Sequence, residues 1–143
     1  MLYKIVKLKI YLISLSKRLG METVIELNDD NFNEYVLAEG QYILIDFYSP
    51  GCHPCQALLT HLPSIAAYVK DQPVTIAKVN ITQNPLIQNK YQVISVPLVL
   101  LINNEKKVFQ TISGANTPDV YMTAIDKMLK KKNENKGFFS FFN

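Results

Sequence analysis

One apolar run, Tyr42–Tyr48 with the sequence YILIDFY, constrains the fold of this chain more than any other segment. Asp46 is its only charged residue. A run of this kind is expected for a strand that is buried on both faces of a sheet, and both faces then have to be covered by helices. The segment SPGCHPC ends the run, and apolar residues at helical spacing follow it. We therefore expect an α/β protein.

Strand-like and helix-like segments alternate from Met21 onwards, and two strands follow each other near the end. This order, β-α-β-α-β-α-β-β-α, predicts a mixed central β-sheet with helices on both faces. Pro63 lies inside the second predicted helix, where we expect a kink or a break. Strands are predicted over residues 23–27, 42–48, 74–81, 96–102 and 108–112. Helices are predicted over residues 32–39, from the cysteine motif to residue 69, and over 85–90 and 120–129.

Length and charge indicate one folded domain with basic ends. The 143 residues are 48% hydrophobic, which is enough apolar material for one core. We expect a basic and apolar extension over residues 1–20, a domain over 21–130 and a basic, phenylalanine-rich tail over 131–143. Residues 21–129 hold six lysines and eleven acidic residues, a net charge of −5. This balance argues against nucleic acid as a partner, because a nucleic-acid-binding core should carry a basic face.

The two ends leave several interpretations open. Residues 1–20 carry five positive charges and no acid. Their apolar run, residues 10–15, is too short for a membrane span, which needs about 20 residues. No signal-peptide cleavage site follows it. Weak contact with a membrane surface, a targeting role and a natural start at Met21 all fit this extension. The tail, with four phenylalanines after its lysines, fits either membrane contact or a frayed end.

The two cysteines, Cys52 and Cys55, can be read as a structural staple, part of a metal site or a redox centre. A disulfide between them closes a very short loop and removes little entropy from the unfolded chain. A closed zinc site needs four ligands, whereas His53 and His61 are the only histidines and no second Cys-x-x-Cys is present. Cysteines that follow a buried strand and open a helix are typical of a redox pair. We therefore predict a redox centre without a metal.

The two cysteines take different positions on the predicted helix, and we therefore predict a different role for each. The start of a helix presents free N–H groups and positive dipole density, which favour a thiolate. Cys52 is at the exposed end and is predicted to attack, whereas Cys55 lies one turn inside and is predicted to resolve the mixed disulfide. Pro54 is tolerated in the first helical turn. A protonated His53 beside Cys52 is expected to stabilise the thiolate and to make the couple less reducing.

The segment LIDFYSPGCHPCQ resembles the active-site segment of the thioredoxin family. Further likenesses follow in the family's order over residues 24–129: ELNDDNF, IAKVNIT, VISVPLVLLI and TISGAN. The resemblance implies a thioredoxin fold and a protein-disulfide reductase with no bound cofactor. It also implies protein disulfides as substrates, a thioredoxin-reductase-type flavoprotein as electron donor, and a role in electron transport and cell redox homeostasis.

The resemblance also implies roles for residues outside the cysteine pair. Asp46 matches the buried acid that moves protons to or from Cys55, and its burial should raise its pKa. Lys78 matches the lysine near this acid. Pro97 matches the family's cis-proline, and the remaining matches line the substrate groove. The predicted groove consists of Gly51, Val96, Pro97, Gly114 and Ala115.

Several residues depart from the family's pattern. The chain has no tryptophan. Gly51 and Tyr48 stand where the family has tryptophans, His53 stands in place of a glycine, and Gln56 replaces a lysine.

Two other functions fit the same residues. The chain could be a binding module that uses the groove to hold a protein partner. It could also be an exported thiol oxidase or isomerase if residues 1–20 direct it out of the cell. Both cysteines, Asp46 and Pro97 favour an enzyme over a binding module. The reductase is the first hypothesis, and for it we expect a cytoplasmic location.

Overall fold

A computed structural model describes residues 1–19 and 23–140 of the protein. Within these residues the chain forms five strands and five helices, in the predicted order apart from one helix before the first strand. The strands are β1 (Val24–Glu26), β2 (Tyr42–Tyr48), β3 (Val74–Asn80), β4 (Leu98–Ile102) and β5 (Val108–Ser113). The helices are α1 (Leu2–Arg18), α2 (Phe32–Val36), α3 (His53–Tyr68), α4 (Pro85–Lys90) and α5 (Pro118–Ser140).

The strands form one mixed sheet in the order β1-β3-β2-β4-β5. β2 and β1 both run parallel to β3, whereas β4 is antiparallel to β2 and to β5. Parallel neighbours need crossover connections, and α2 and α3 lie in the two connections between β1, β2 and β3. The predicted α/β architecture with a mixed sheet is confirmed.

Side chains of β2 alternate between two apolar layers, because successive residues of a strand point to opposite faces. Tyr42 and Leu44 pack with α3 and α5 on one face. Ile43 and Ile45 pack with α2 and α4 on the other face. By the same alternation Asp46 lies on the face that α3 covers.

Of the kink or break predicted at Pro63, the break is wrong, since α3 runs through this residue from His53 to Tyr68. A proline in a helix interior costs about 3 kcal/mol. Its neighbours Leu62 and Ile65 are 1% and 0% exposed, and burial of such side chains stabilises by about 1.5–3 kcal/mol each. Packing against the sheet therefore outweighs the defect.

Among the boundaries that differ from the prediction, two have a clear local cause. β4 begins at Leu98 instead of residue 96, because Pro97 has no N–H to donate to a ladder. α2 ends at Val36 instead of residue 39, ahead of Gly40, whose φ of +73° is not helical.

The ends of the chain are more helical than predicted. α1 covers most of the predicted extension, and its Lys9 forms an ion pair with Glu34 of α2 at 3.1 Å. α5 continues through residues 131–140, which were predicted as a tail. Residues 20–22 and 141–143 of the predicted segments lie outside the described residues. In the part of the chain that is described, no helix is long and apolar enough to cross a membrane.

Candidate active site

The turn between β2 and α3 positions the first cysteine at the start of the helix. The N–H of Cys52 donates to the carbonyl oxygen of Ser49 at 3.1 Å, which closes the turn. Cys52 then caps α3: its Sγ accepts from the N–H of Cys55 at 3.2 Å, and its carbonyl accepts from the N–H of Gln56 at 3.2 Å. The helix thus directs the N–H of Cys55 at the sulfur that the sequence predicts to be the nucleophile.

Cys52 and Cys55 form a disulfide, with the two sulfurs 2.11 Å apart and the Cα atoms 5.2 Å apart. The two cysteines differ in access: Cys52 is partly exposed, whereas Cys55 is 0% exposed. His53 and Pro54 between them are both exposed. An incoming thiolate or disulfide can therefore reach Cys52 but not Cys55.

The turn before β4 lies against the first cysteine. The peptide bond between Val96 and Pro97 is cis, and the carbonyl oxygen of Val96 lies 3.8 Å from the Sγ of Cys52. The N–H of Gly114 donates to the carbonyl of Pro97 at 2.9 Å, with Gly114 at a φ of +77°. Four of the predicted groove residues are therefore linked to Cys52 by sequence or by these contacts. The fifth, Ala115, follows Gly114 and is exposed.

Asp46 is buried on the face of the sheet that α3 covers. Its side chain is 0% exposed, and neither carboxylate oxygen accepts a hydrogen bond from the described residues. Burial raises the pKa of this carboxyl from 3.8 to about 7, and the positive charge of Lys78 acts in the opposite direction. A carboxyl with a pKa near neutrality can both accept and release a proton at working pH.

Lys78 lies opposite Asp46 in the register between β2 and β3. Its ammonium, however, pairs with Glu26 of β1 at 3.0 Å. The hydroxyl of Tyr48 donates to the same carboxylate at 2.8 Å, and the Lys78 ammonium lies 5.6 Å from the centre of the Tyr48 ring. The structure therefore brings Lys78 near Asp46 and joins it to a carboxylate that the sequence analysis did not single out.

Glu26 had one signal in the sequence. It stands in a predicted strand between two apolar residues, and Lys78, the only basic residue of the predicted strands, could have been its partner. Finding the pair required the register of β1 against β3, which local patterns do not supply.

Residues 1–19 and 23–140 contain no group of three histidine, cysteine, aspartate or glutamate side chains that could hold a metal ion. The site instead combines an accessible sulfur, a buried sulfur bonded to it, and a buried acid on the same side of the sheet. Such an arrangement exchanges dithiols and disulfides. The protein is therefore a thiol–disulfide oxidoreductase.

Comparison with known proteins gives the family. The sequence model of thioredoxin matches residues 23–127. A thioredoxin of Griffithsia pacifica is 34% identical over 108 residues, which cover 76% of this chain and 97% of the relative. A thioredoxin of Buchnera aphidicola from Acyrthosiphon pisum is 38% identical over 66% of this chain and 86% of its own. The chloroplastic M-type thioredoxin of Chlamydomonas reinhardtii is 30% identical over 72% of each chain. The chain belongs to the thioredoxin family.

Proposed function

We propose that this protein reduces protein disulfides through a mixed disulfide on Cys52. The Cys52 thiolate attacks one sulfur of the substrate disulfide, and the other substrate sulfur leaves as a thiolate that takes up a proton. The Cys55 thiolate then attacks the Cys52 sulfur, which releases the second substrate thiolate and leaves the Cys52–Cys55 disulfide. The substrate gains two electrons, and its two thiolates take up two protons. One is the proton that Cys55 gives up, and the other comes from solvent, which received the Cys52 proton when that thiol ionised. The observation that carries this proposal is the contrast between the accessible Cys52 and the buried Cys55.

Asp46 has the acid–base role in this proposal. Cys55 is too buried to lose its proton directly to water, and α3, which bears it, covers the face where Asp46 lies. A carboxylate at Asp46 would take the proton of the Cys55 thiol as that thiol becomes the attacking thiolate. A pKa of about 7 suits the exchange, because the group is then divided between its two protonation states near neutral pH.

The proposed groove binds substrates through their main chain. Val96, at the end of the loop that touches Cys52, presents backbone groups beside the sulfur. Pairing with an extended segment in this way reads the peptide backbone more than side chains. Gly51, Gly114 and Ala115 are exposed around it and leave room for such a segment. This supports a broad range of disulfide-containing proteins as substrates.

Reduction of insulin disulfides by the full-length chain tests this function. We expect repeated turnover when a thioredoxin-reductase flavoprotein regenerates the dithiol, and slower turnover when reduced glutathione does so. Binding of disulfide proteins without any reduction would favour a binding module. Net oxidation of reduced substrates in a glutathione buffer would favour the oxidase or isomerase alternative.

His53 is proposed to make the couple less reducing than the family's glycine would. It is the first residue of α3, exposed and adjacent to Cys52, where an imidazolium favours the thiolate and with it the reduced form. We expect His53→Gly to shift the equilibrium with glutathione toward the disulfide by about tenfold, or about 30 mV. His61→Ala, which removes the other histidine, is the control. Equal potentials for wild type and His53→Gly would contradict this role.

We propose a cytoplasmic site of action, with weak contact to membrane surfaces through the ends of the chain. The support is chemical: a dithiol that works as a reductant needs a reducing compartment. The M-type relative is chloroplastic, so other members of the family work in other compartments. α1 supports membrane contact, because its exposed side chains include Ile5, Leu8, Leu12 and Leu15 among basic residues.

Co-sedimentation with vesicles tests the membrane contact. We expect the full-length protein to pellet with vesicles of phosphatidylcholine and phosphatidylserine, less with phosphatidylcholine alone, and less again at high salt. Leu8→Ser with Leu12→Ser should reduce pelleting by about tenfold. Leu37 is an exposed leucine outside α1, so Leu37→Ser is the control and should have no effect on pelleting. If the protein stays in the supernatant under all conditions and in the soluble fraction of cells, the proposed membrane contact is contradicted.

A further inference from the structure

Three strands bring three charged side chains into one row across the sheet. Glu26 of β1 is in register with Lys78 of β3, and Lys78 is in register with Asp46 of β2. Cross-strand neighbours in such a row point to the same face, so the ammonium of Lys78 has a carboxyl on either side. It can pair with the half-exposed Glu26 or turn toward the buried Asp46.

The ammonium pairs with Glu26. Its Nζ lies 3.0 Å from Oε2 of this residue, whereas neither oxygen of Asp46 has a hydrogen-bond partner among the described residues. Tyr48 fixes the arrangement: its hydroxyl donates to Oε1 of Glu26 at 2.8 Å, so both carboxylate oxygens are engaged. Burial and this hydrogen bond raise the pKa of Tyr48 to about 12, and the hydroxyl therefore keeps its proton throughout the working range of pH.

We infer that Glu26 is a positioning residue, which holds the Lys78 ammonium away from Asp46 and thereby sets the pH at which Asp46 exchanges its proton. The exchange with Cys55 rests on the proposed function, whereas the pairing does not. Among the described residues, Lys78 of β3 is the charged group that acts on Asp46. The other register partner of Asp46 is the apolar Val99 of β4, and neither Tyr48 of its own strand nor the disulfide-bonded Cys55 of α3 carries a charge.

The inference has a consequence with a definite sign. With Glu26 neutralised, the ammonium loses its partner and is free to turn toward Asp46, where a positive charge favours the carboxylate. Loss of the Glu26 charge itself acts in the same direction. Removal of the ammonium acts in the opposite direction, because Asp46 then loses the charge that favours its ionised form.

The test follows the carboxyl carbon of Asp46 by NMR in the oxidised full-length protein as pH is varied. We expect Glu26→Gln to lower the titration midpoint by about one pH unit, Tyr48→Phe to lower it by less, and Lys78→Met to raise it. Glu105→Gln, which breaks the exposed pair with Lys107 at 3.4 Å, is the matched control and should leave the midpoint unchanged.

A double substitution separates positioning from simple repulsion between two carboxylates. In the Lys78→Met background, Glu26→Gln should move the midpoint by less than half of its effect in the wild type. An unchanged midpoint in Glu26→Gln, or an equal shift in both backgrounds, would overturn the inference. Since the titration uses no substrate, it stands apart from catalysis. A shifted midpoint with an unshifted pH profile of insulin reduction would instead contradict the proton-transfer role of Asp46.

Discussion

Serine in place of Cys55 is expected to stop the reaction after its first step and to leave the protein covalently joined to its substrates. The Cys52 thiolate still attacks the substrate disulfide, but no second sulfur then breaks the mixed disulfide. Insulin reduction should fall by about three orders of magnitude or more. Non-reducing electrophoresis should show adducts that disappear with a reductant. Mass spectrometry of adducts captured in cells would identify the physiological substrates.

The other cysteine supplies the control. Serine in place of Cys52 should lower turnover as strongly but form no adducts, because the remaining Cys55 is 0% exposed. Adducts on Cys55 in that variant would reverse the assigned roles. Partners that co-purify with the double serine variant as well as with the wild type, without adducts in either single variant, would favour a binding module.

Asparagine in place of Asp46 is expected to stabilise the oxidised protein at pH 8 and to have little effect at pH 4. The folded protein holds the Asp46 proton up to a pKa of about 7, whereas the unfolded chain releases it near 3.8. Between these values the folded state binds more protons, so its stability falls as pH rises. Since one pKa unit corresponds to about 1.4 kcal/mol, the full penalty above pH 7 is on the order of 4 kcal/mol.

Urea unfolding of the disulfide form at both pH values measures this difference. Asp71→Asn, at an exposed position, is the control and should show no comparable difference between the two pH values. A stability gain at pH 4 as large as that at pH 8 would mean that shape and not charge distinguishes the variant. The same substitution should slow insulin reduction by about 10²-fold if Asp46 accepts the Cys55 proton.

The fold was predictable because its strands and helices carry strong local signals. The apolar run of β2 and the order of the segments were sufficient for the mixed sheet, and the thioredoxin resemblance is confirmed by the match over residues 23–127. The misjudged points depend on contacts between distant residues. Pro63 sits in an uninterrupted helix because Leu62 and Ile65 are buried against the sheet. A local rule about proline contains no information on that burial.

The residues of the site were predictable from the sequence, but the ion pairs between them were less so. The spacing of Cys52 and Cys55 and the strand before them indicated a redox pair. The charge of Asp46 inside an apolar run indicated a functional acid. Lys78 lies opposite this acid in the register of β2 and β3. Its ion pair with Glu26 was not foreseen, because the pairing depends on how β1, β3 and β2 align.

The unequal access of the two sulfurs has a consequence for the order in which electron donor and substrate bind. Cys52 is partly exposed and Cys55 is buried, so in the proposed function the electron donor and the substrate both have to react at Cys52 and to use the same docking face. The two cannot occupy that face together, and the proposed function therefore requires one of them to leave before the other binds. The kinetics of the protein should be of the ping-pong type, with parallel lines in double-reciprocal plots. An excess of either partner should then slow delivery to the other by occupying the shared face.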